Sequence, residues 1–235
     1  MKKVLITGAT SGIGLAISKK MLDMGYSVYG VGRDFSKIDI ASSNFYPIIC
    51  DLIKYQNIED MIKKLKKEVD IDTLINCAGV GYFGPHEEIN PTKLHKMIAL
   101  NLEAPLILTQ LLLRDLKKRK GTVINISSIT ATKASTYGCA YSATKAGLVH
   151  FSKGLFDEVR KTGVKVISIL PDITKTPFYD ELNFRDIYEA GYRDVEIVVG
   201  ERLSYPDEKI TFINIEEYKK LNREFSMNIV IVRKK

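Results

Sequence analysis

An α/β fold built on a doubly wound parallel sheet is what the sequence predicts, and three observations lead there. Short β-branched runs alternate with longer amphipathic stretches, the pattern of strands joined by crossover helices. The first run, KVLIT (3–7), is apolar on both faces, as a strand covered by helices on two sides requires. A glycine-rich stretch, TGATSGIGLAI, then leads directly into the first helical segment.

The remaining strands read in order as YSVYGV (26–31), YPIIC (46–50), DTLIN (72–76), GTVINIS (121–127) and VKVISIL (164–170), with MNIVIV (227–232) as the last of about seven. Helical periodicity runs through 13–24, 57–68, 92–117 and 140–160 between them. Segment 34–45 has room for a turn or two of helix only, less than a full crossover helix, and reads mostly as loop. In such a sheet ligands bind beyond the carboxyl ends of the strands, so the residues that follow each run are the ones to inspect.

A chain of 235 residues without a linker-like stretch or an internal repeat is read as a single domain, 1–235. With 45% hydrophobic and 27% charged residues it has the balance of a soluble globular protein. The amino-terminal MKKVLITGAT is too short in apolar residues for a signal peptide. The most apolar later stretch, LNLEAPLILTQLLL, is interrupted by Asn101, Glu103, Thr109 and Gln110, which argues against a membrane span. Cys50, Cys77 and Cys139 follow neither metal-ligand nor disulfide spacing and read as reduced thiols of a cytoplasmic protein. His86, His95 and His150 are dispersed without metal spacing, and no metal is expected. The net charge of +7 comes from scattered groups such as KKLKK (63–67) and KKRK (117–120) without interleaved aromatics. That pattern fits solvated helix faces rather than nucleic-acid binding, and a basic surface suits a phosphorylated ligand.

Gly8, Gly12 and Gly14 fall at the turn after the first strand and at the start of the next helix. Glycine there lets the backbone turn tightly and admits a pyrophosphate to the helix amino terminus, whose N–H groups carry partial positive charge. The second strand ends in GVGRD. An acidic residue about twenty positions after the glycines ordinarily holds the adenine ribose hydroxyls. Arg33 in that region would pair instead with a 2′-phosphate through its planar fork, which favours NADP(H) over NAD(H). Asp34, next to it, is the alternative ribose ligand.

In CAYSATKAG (139–147) Tyr141 and Lys145 stand four apart among small residues. On a helix that places phenol and ammonium on one face. Around this pair the pieces fall in a fixed order: CDL (50–52), NCAG (76–79), LNLEAP (100–105), NISS (125–128), YSATK (141–145) and PDITKT (171–176). Together with the glycine loop, these motifs resemble those of the short-chain dehydrogenase/reductase family over about residues 3–177.

The resemblance implies a Rossmann-type fold, an oxidoreductase activity and a role for each matching residue. Ser128, which stands 13 positions before Tyr141, matches the catalytic serine in preference to Ser127. Tyr141 matches the proton donor, Lys145 its partner, and Asn101 the helix asparagine that supports a water relay. The loop residues Gly8, Ser11, Gly12, Ile13 and Gly14, with Arg33, match dinucleotide contacts. Asp51 and Leu52 match residues around the adenine, and Asn76, Ala78 and Gly79 the turn near the ribose. Ile173, Thr174 and Thr176 match the segment that meets the nicotinamide carboxamide, while Tyr141 and Lys145 also reach the cofactor.

The residue types suit the chemistry. Hydride transfer to a carbonyl carbon builds negative charge on oxygen, which needs a hydrogen bond and then a proton. A free tyrosine with a pKa of about 10 is a weak acid at neutral pH, and a cation one turn away lowers that value. Each residue also has a plainer reading. Asn76 and Asn101 could be satisfied buried amides, Ser127 and Ser128 strand-end caps, and Cys77 and Cys139 small packing residues.

Two departures from the family pattern stand out. Asp172 follows Pro171 where the family ordinarily has Pro-Gly, so a carboxylate either repels acidic substrates there or points to solvent. Residues 178–226 are read as a variable substrate lid carrying Phe178, Tyr179, Phe184, Tyr188 and Tyr192, or else as amphipathic helix faces. The expected partner is a small carbonyl or alcohol, and a 3-oxoacyl thioester, a sugar or polyol, and a general carbonyl compound all remain open. The expected assembly is a homodimer or homotetramer. A silent NADP(H)-binding sensor and an epimerase or dehydratase relative are the rival functions.

Overall fold

The computed structural model describes residues 1–133 and 135–171, Phe178, and two short strand segments at 212–213 and 229–232. Eight strands, β1 (Lys3–Thr7), β2 (Ser27–Gly32), β3 (Phe45–Ile49), β4 (Thr73–Asn76), β5 (Thr122–Ile126), β6 (Lys165–Ile169), β7 (Phe212–Ile213) and β8 (Ile229–Val232), form one sheet in the order 3-2-1-4-5-6-8-7. Every neighbouring pair is parallel. The strands read from sequence are recovered within a residue or two. The eighth, β7, has two residues and is too short to leave a period-two signature.

Helices α1 (Gly12–Asp23), α2 (Tyr55–Glu68), α3 (Pro91–Ile98), α4 (Ala104–Arg119) and α5 (Cys139–Val159) cover the sheet. Alternate residues of the central strands feed two cores. Leu5, Leu74, Val123 and Val166 pack with α2, α4 and α5 through Ile58, Leu108, Leu112 and Leu155. Val4, Ile6 and Ile75 face the other way, onto Ile17 and Met21 of α1. Strand order reverses between β1 and β4, so the crevice between their carboxyl ends is where such a sheet holds a ligand.

The periodic stretch 92–117 is continuous as predicted but not uniform. A π-helical turn, Ala99–Glu103, joins α3 to α4. Pro105 has no N–H to give the carbonyl of Asn101, so the ladder widens there instead of breaking. The joined helix is apolar enough to cross a membrane by length and composition, with a mean hydropathy of 1.4 in its most apolar window. In the fold Ala104, Leu108, Leu112 and Leu116 of this helix are buried in the core.

A buried polar row lies under α5. Asn76 and Asn125 are register partners on β4 and β5, and Asn125 pairs with Ser168 on β6. Asn76 Nδ2 donates to Asn125 Oδ1 at 2.8 Å, and Asn125 Nδ2 donates to Ser152 Oγ of α5 at 2.8 Å. Ser152 in turn donates to the Leu148 carbonyl.

Candidate active site

The loop between β1 and α1 is built for close approach. Gly8 has φ +69°, and a Cβ there would lie 2.9 Å from Cα of Ala78 in the turn after β4. The two turns are joined by Thr7, whose hydroxyl accepts from the N–H groups of both Cys77 and Ala78 at 3.0 Å. Ser11 is exposed and extended at the amino terminus of α1, Gly12 has φ +50°, and Ile13 and Gly14 open the helix. Ser11 makes no side-chain cap bond and the first turn of α1 carries no acid, so its leading N–H groups are met by neither. That donor set fits a dinucleotide pyrophosphate.

At the end of β2, Arg33 is exposed. Asp34 is occupied locally: the Ser36 N–H donates to one carboxylate oxygen at 2.8 Å and the Ser36 hydroxyl to the other at 3.0 Å. Those bonds hold the Asp34 carboxyl below its ordinary pKa. After β3, Asp51 accepts from the Ile53 N–H at 3.1 Å, while the Leu52 side chain is buried in the core.

Beyond β4, Asn101 is fully buried on the π turn and grips the strand-four loop. Its Nδ2 donates to the Val80 carbonyl and its Oδ1 accepts from the Val80 N–H, both at 2.8 Å. The same Nδ2 lies 3.1 Å from Thr144 Oγ1 on α5. A Cβ at Gly79 would stand 3.2 Å from Asn101 Oδ1 and 3.5 Å from Lys145 Nζ. Gly79 therefore lies between the π turn and α5. The Asn76 side chain is buried, and its Nδ2 donates to Asn125 while its Oδ1 has no hydrogen-bond partner among the described residues.

The two serines after β5 part company. Ser127 Oγ donates to the Lys145 carbonyl at 2.9 Å, fastening β5 to α5. Ser128 Oγ faces Thr130, accepting from its N–H at 3.2 Å and its hydroxyl at 3.0 Å. Tyr141 and Lys145 share one face of α5, 7% and 4% exposed, with the Lys145 ammonium 5.8 Å from the centre of the Tyr141 ring. The ammonium donates to the Ile126 carbonyl at 3.0 Å.

Burial pulls the Lys145 pKa down to about 8, with Cys77 acting weakly in the opposite sense. Burial pushes the Cys77 thiol up to about 12, which keeps it protonated and makes it a packing residue rather than a nucleophile. The lysine value has a consequence for stability. Between about pH 8 and the ordinary 10.5, the unfolded chain keeps a proton that the folded chain has released. Raising the pH through that window therefore favours folding through this group. The melting temperature of the native protein should rise relative to Lys145→Met across the window and hold a fixed offset below it. Calorimetric melts at a series of pH values check this, and an offset that never changes refutes it.

The roles of Thr7, Asn125 and Ser152 carry no sequence signal of their own, because a threonine at a strand end or an asparagine within a strand has no distinctive spacing. Ile173, Thr174, Thr176 and Asp172, and the lid apart from Phe178 and the strand at 212–213, lie outside the described residues. Among the described residues no group of three or more His, Cys, Asp or Glu side chains could hold a metal ion.

Comparison with known proteins bears on the fold and the family. The 3-oxoacyl-(acyl-carrier-protein) reductase of Buchnera aphidicola is 33% identical, over 76% of this chain and 75% of its own length. The serine 3-dehydrogenase of Agrobacterium fabrum is 34% identical, over 74% of this chain and 73% of its own. A short chain dehydrogenase from Leptospira borgpetersenii, solved with bound NAD+, superposes with a TM-score of 0.70 at 28% identity, covering 74% of this chain and 71% of that one. The family model of the short chain dehydrogenases matches residues 2–186. With sheet order, glycine turn and the helix-borne Tyr141–Lys145 pair all in place, the chain belongs to the short chain dehydrogenase family, oxidoreductases acting on a CH–OH group or the matching carbonyl.

Proposed function

We propose that the chain is an NADP(H)-dependent oxidoreductase that reduces a ketone or aldehyde to the alcohol, or runs the reverse, with Tyr141 as proton donor. The observation that carries this reading is the pair on α5, a buried ammonium 5.8 Å from the centre of a buried phenol ring at the carboxyl end of the sheet. When bound, the dinucleotide supplies the hydride. As charge gathers on the carbonyl oxygen, the Ser128 hydroxyl holds that oxygen in line and Tyr141 gives it a proton. Lys145, kept beside the ring by the Ile126 carbonyl, favours the phenolate that is left behind. Asn101 holds the strand-four turn against α5 and supports the route by which the proton is replaced.

In the same reading, Gly8, Ser11, Gly12, Ile13 and Gly14 hold the pyrophosphate, and Asp51 and Leu52 line the adenine. Asn76, Ala78 and Gly79 meet the ribose. Ile173, Thr174 and Thr176 meet the carboxamide. A homodimer or homotetramer of single-domain subunits in the cytoplasm completes the proposal.

NADP(H) over NAD(H) is supported by the end of β2. Asp34, the alternative ribose ligand, has both carboxylate oxygens engaged by Ser36, while the Arg33 guanidinium is exposed beside it. The test follows reduced-nicotinamide absorbance over a panel of carbonyl compounds, with NADPH and NADH in parallel. NADPH should be the better donor, and Arg33→Ala should raise its KM about tenfold or more, the worth of a charge-assisted phosphate contact, with a far smaller effect on NADH. Equal shifts for both cofactors would remove Arg33 from the phosphate site. Binding without turnover across the panel would favour the sensor.

A further inference from the structure

Two phenylalanines from separate parts of the chain close on the ring of Tyr141. Phe83, in the turn after β4, has its ring centre 5.3 Å from that of Tyr141, tilted by 48°. Phe178, in the segment after β6, reaches the same ring at 5.8 Å and 52°. Gly81 lets the two come together, since a Cβ at that position would lie 2.6 Å from the Phe83 ring and 2.8 Å from the Phe178 ring. Gly138, just before α5, leaves room for the Phe83 ring, since a Cβ there would lie 3.2 Å from it.

Both phenylalanines are half-buried, and their neighbours Val80, Leu94 and Met97 are apolar. The exposed Lys93 ammonium lies 5.3 Å over the Tyr82 ring, and the buried Lys145 ammonium is bonded to the Ile126 carbonyl. A group lying against Phe83 and Phe178 gains dispersion and loses water, and the rings offer no hydrogen bond in return. Against these two described rings a carboxylate would lose water and gain no hydrogen bond from them.

Resting on the reading of Tyr141 as proton donor, we propose that Phe83 and Phe178 are the specificity wall of the substrate site. They select an apolar ketone, with an aryl or branched alkyl flank, over a short charged oxo acid. Gly81 is a positioning residue whose missing side chain keeps both rings against Tyr141.

Acetophenone and acetoacetate, two methyl ketones that differ in the flank, are the probes. With NADPH, the native protein should show a kcat/KM for acetophenone at least about tenfold above that for acetoacetate, the range one hydrophobic pocket can supply. Phe83→Ala and Phe178→Ala should each cut that ratio about tenfold, mainly through KM for acetophenone. Gly81→Ala keeps both rings but displaces them and should move the ratio the same way. Direct binding of acetophenone to the NADPH-loaded protein, followed by calorimetric titration, gives a second readout and should weaken in parallel.

A native preference for acetoacetate, or a ratio unmoved in all three variants, overturns the proposal. So does acetophenone binding that the variants leave unaltered. Phenylalanine-dependent binding of acetophenone without any turnover would instead overturn the reductase reading and leave the wall standing.

Discussion

Tyr141→Phe is expected to lower turnover by about a thousandfold while NADPH remains bound, the size of effect a single positioned proton donor supplies. The substitution removes one oxygen and keeps the ring that packs between Phe83 and Phe178. Folding should therefore be little disturbed, and the loss belongs to chemistry. The Lys145 ammonium then faces an inert ring, since its effect depends on a phenol whose charged form it can favour. Steady-state absorbance gives the rate, and a fluorescence titration of NADPH checks that the binding site survives. A variant that retains turnover within tenfold of the native protein would eliminate Tyr141 as the donor.

Gly14→Ala should be the most damaging single-methyl change in the glycine loop. A Cβ at Gly14 would lie 2.1 Å from the Gly8 carbonyl oxygen and 2.7 Å from its carbon. Both atoms are backbone, and Gly8 is itself pinned against Ala78, so the helix has nowhere to retreat. Overpacking of this kind costs about 3 kcal/mol or more, which corresponds to a fall in melting temperature of about 10 °C for a chain of this size. The amino terminus of α1 would be pushed off the loop, and NADPH binding should weaken with it. Gly154→Ala is the matching control: this α5 residue is exposed, with nothing within 4 Å of an added Cβ. There the helix should gain about 0.5–1 kcal/mol from the lost chain entropy. Equal melting temperatures for the two variants would show that the helix–turn contact is not tight.

The sheet was largely legible because its strands are buried on two sides, and such strands announce themselves as apolar runs regardless of their neighbours. The shared face of Tyr141 and Lys145 was equally legible, being set by helical periodicity alone. The π turn was hidden, since the apolar repeat passes through 92–117 without a visible break. Pro105 is the signal that marks it in hindsight. Sequence also could not show where a polar side chain is turned. Asn76 and Leu52 stand at the ligand end of the sheet, yet the Asn76 amide nitrogen goes to Asn125 and the Leu52 isobutyl group to the core. Ser127 and Ser128 are chemically identical neighbours, and only their opposite sides of an extended strand end separate a helix anchor from a group beside Thr130.

The bond from Asn125 to Ser152 sets the azimuth of α5. Ser152 follows Lys145 by two helical turns and Tyr141 by three, so all three lie along one line of the cylinder. Leucines greasing a helix against a sheet tolerate slippage about its axis, whereas an amide that must find one particular hydroxyl does not. The asparagine on β5 works as an indexing pin: remote from the reacting atoms, it keeps phenol and amine from rolling out of line.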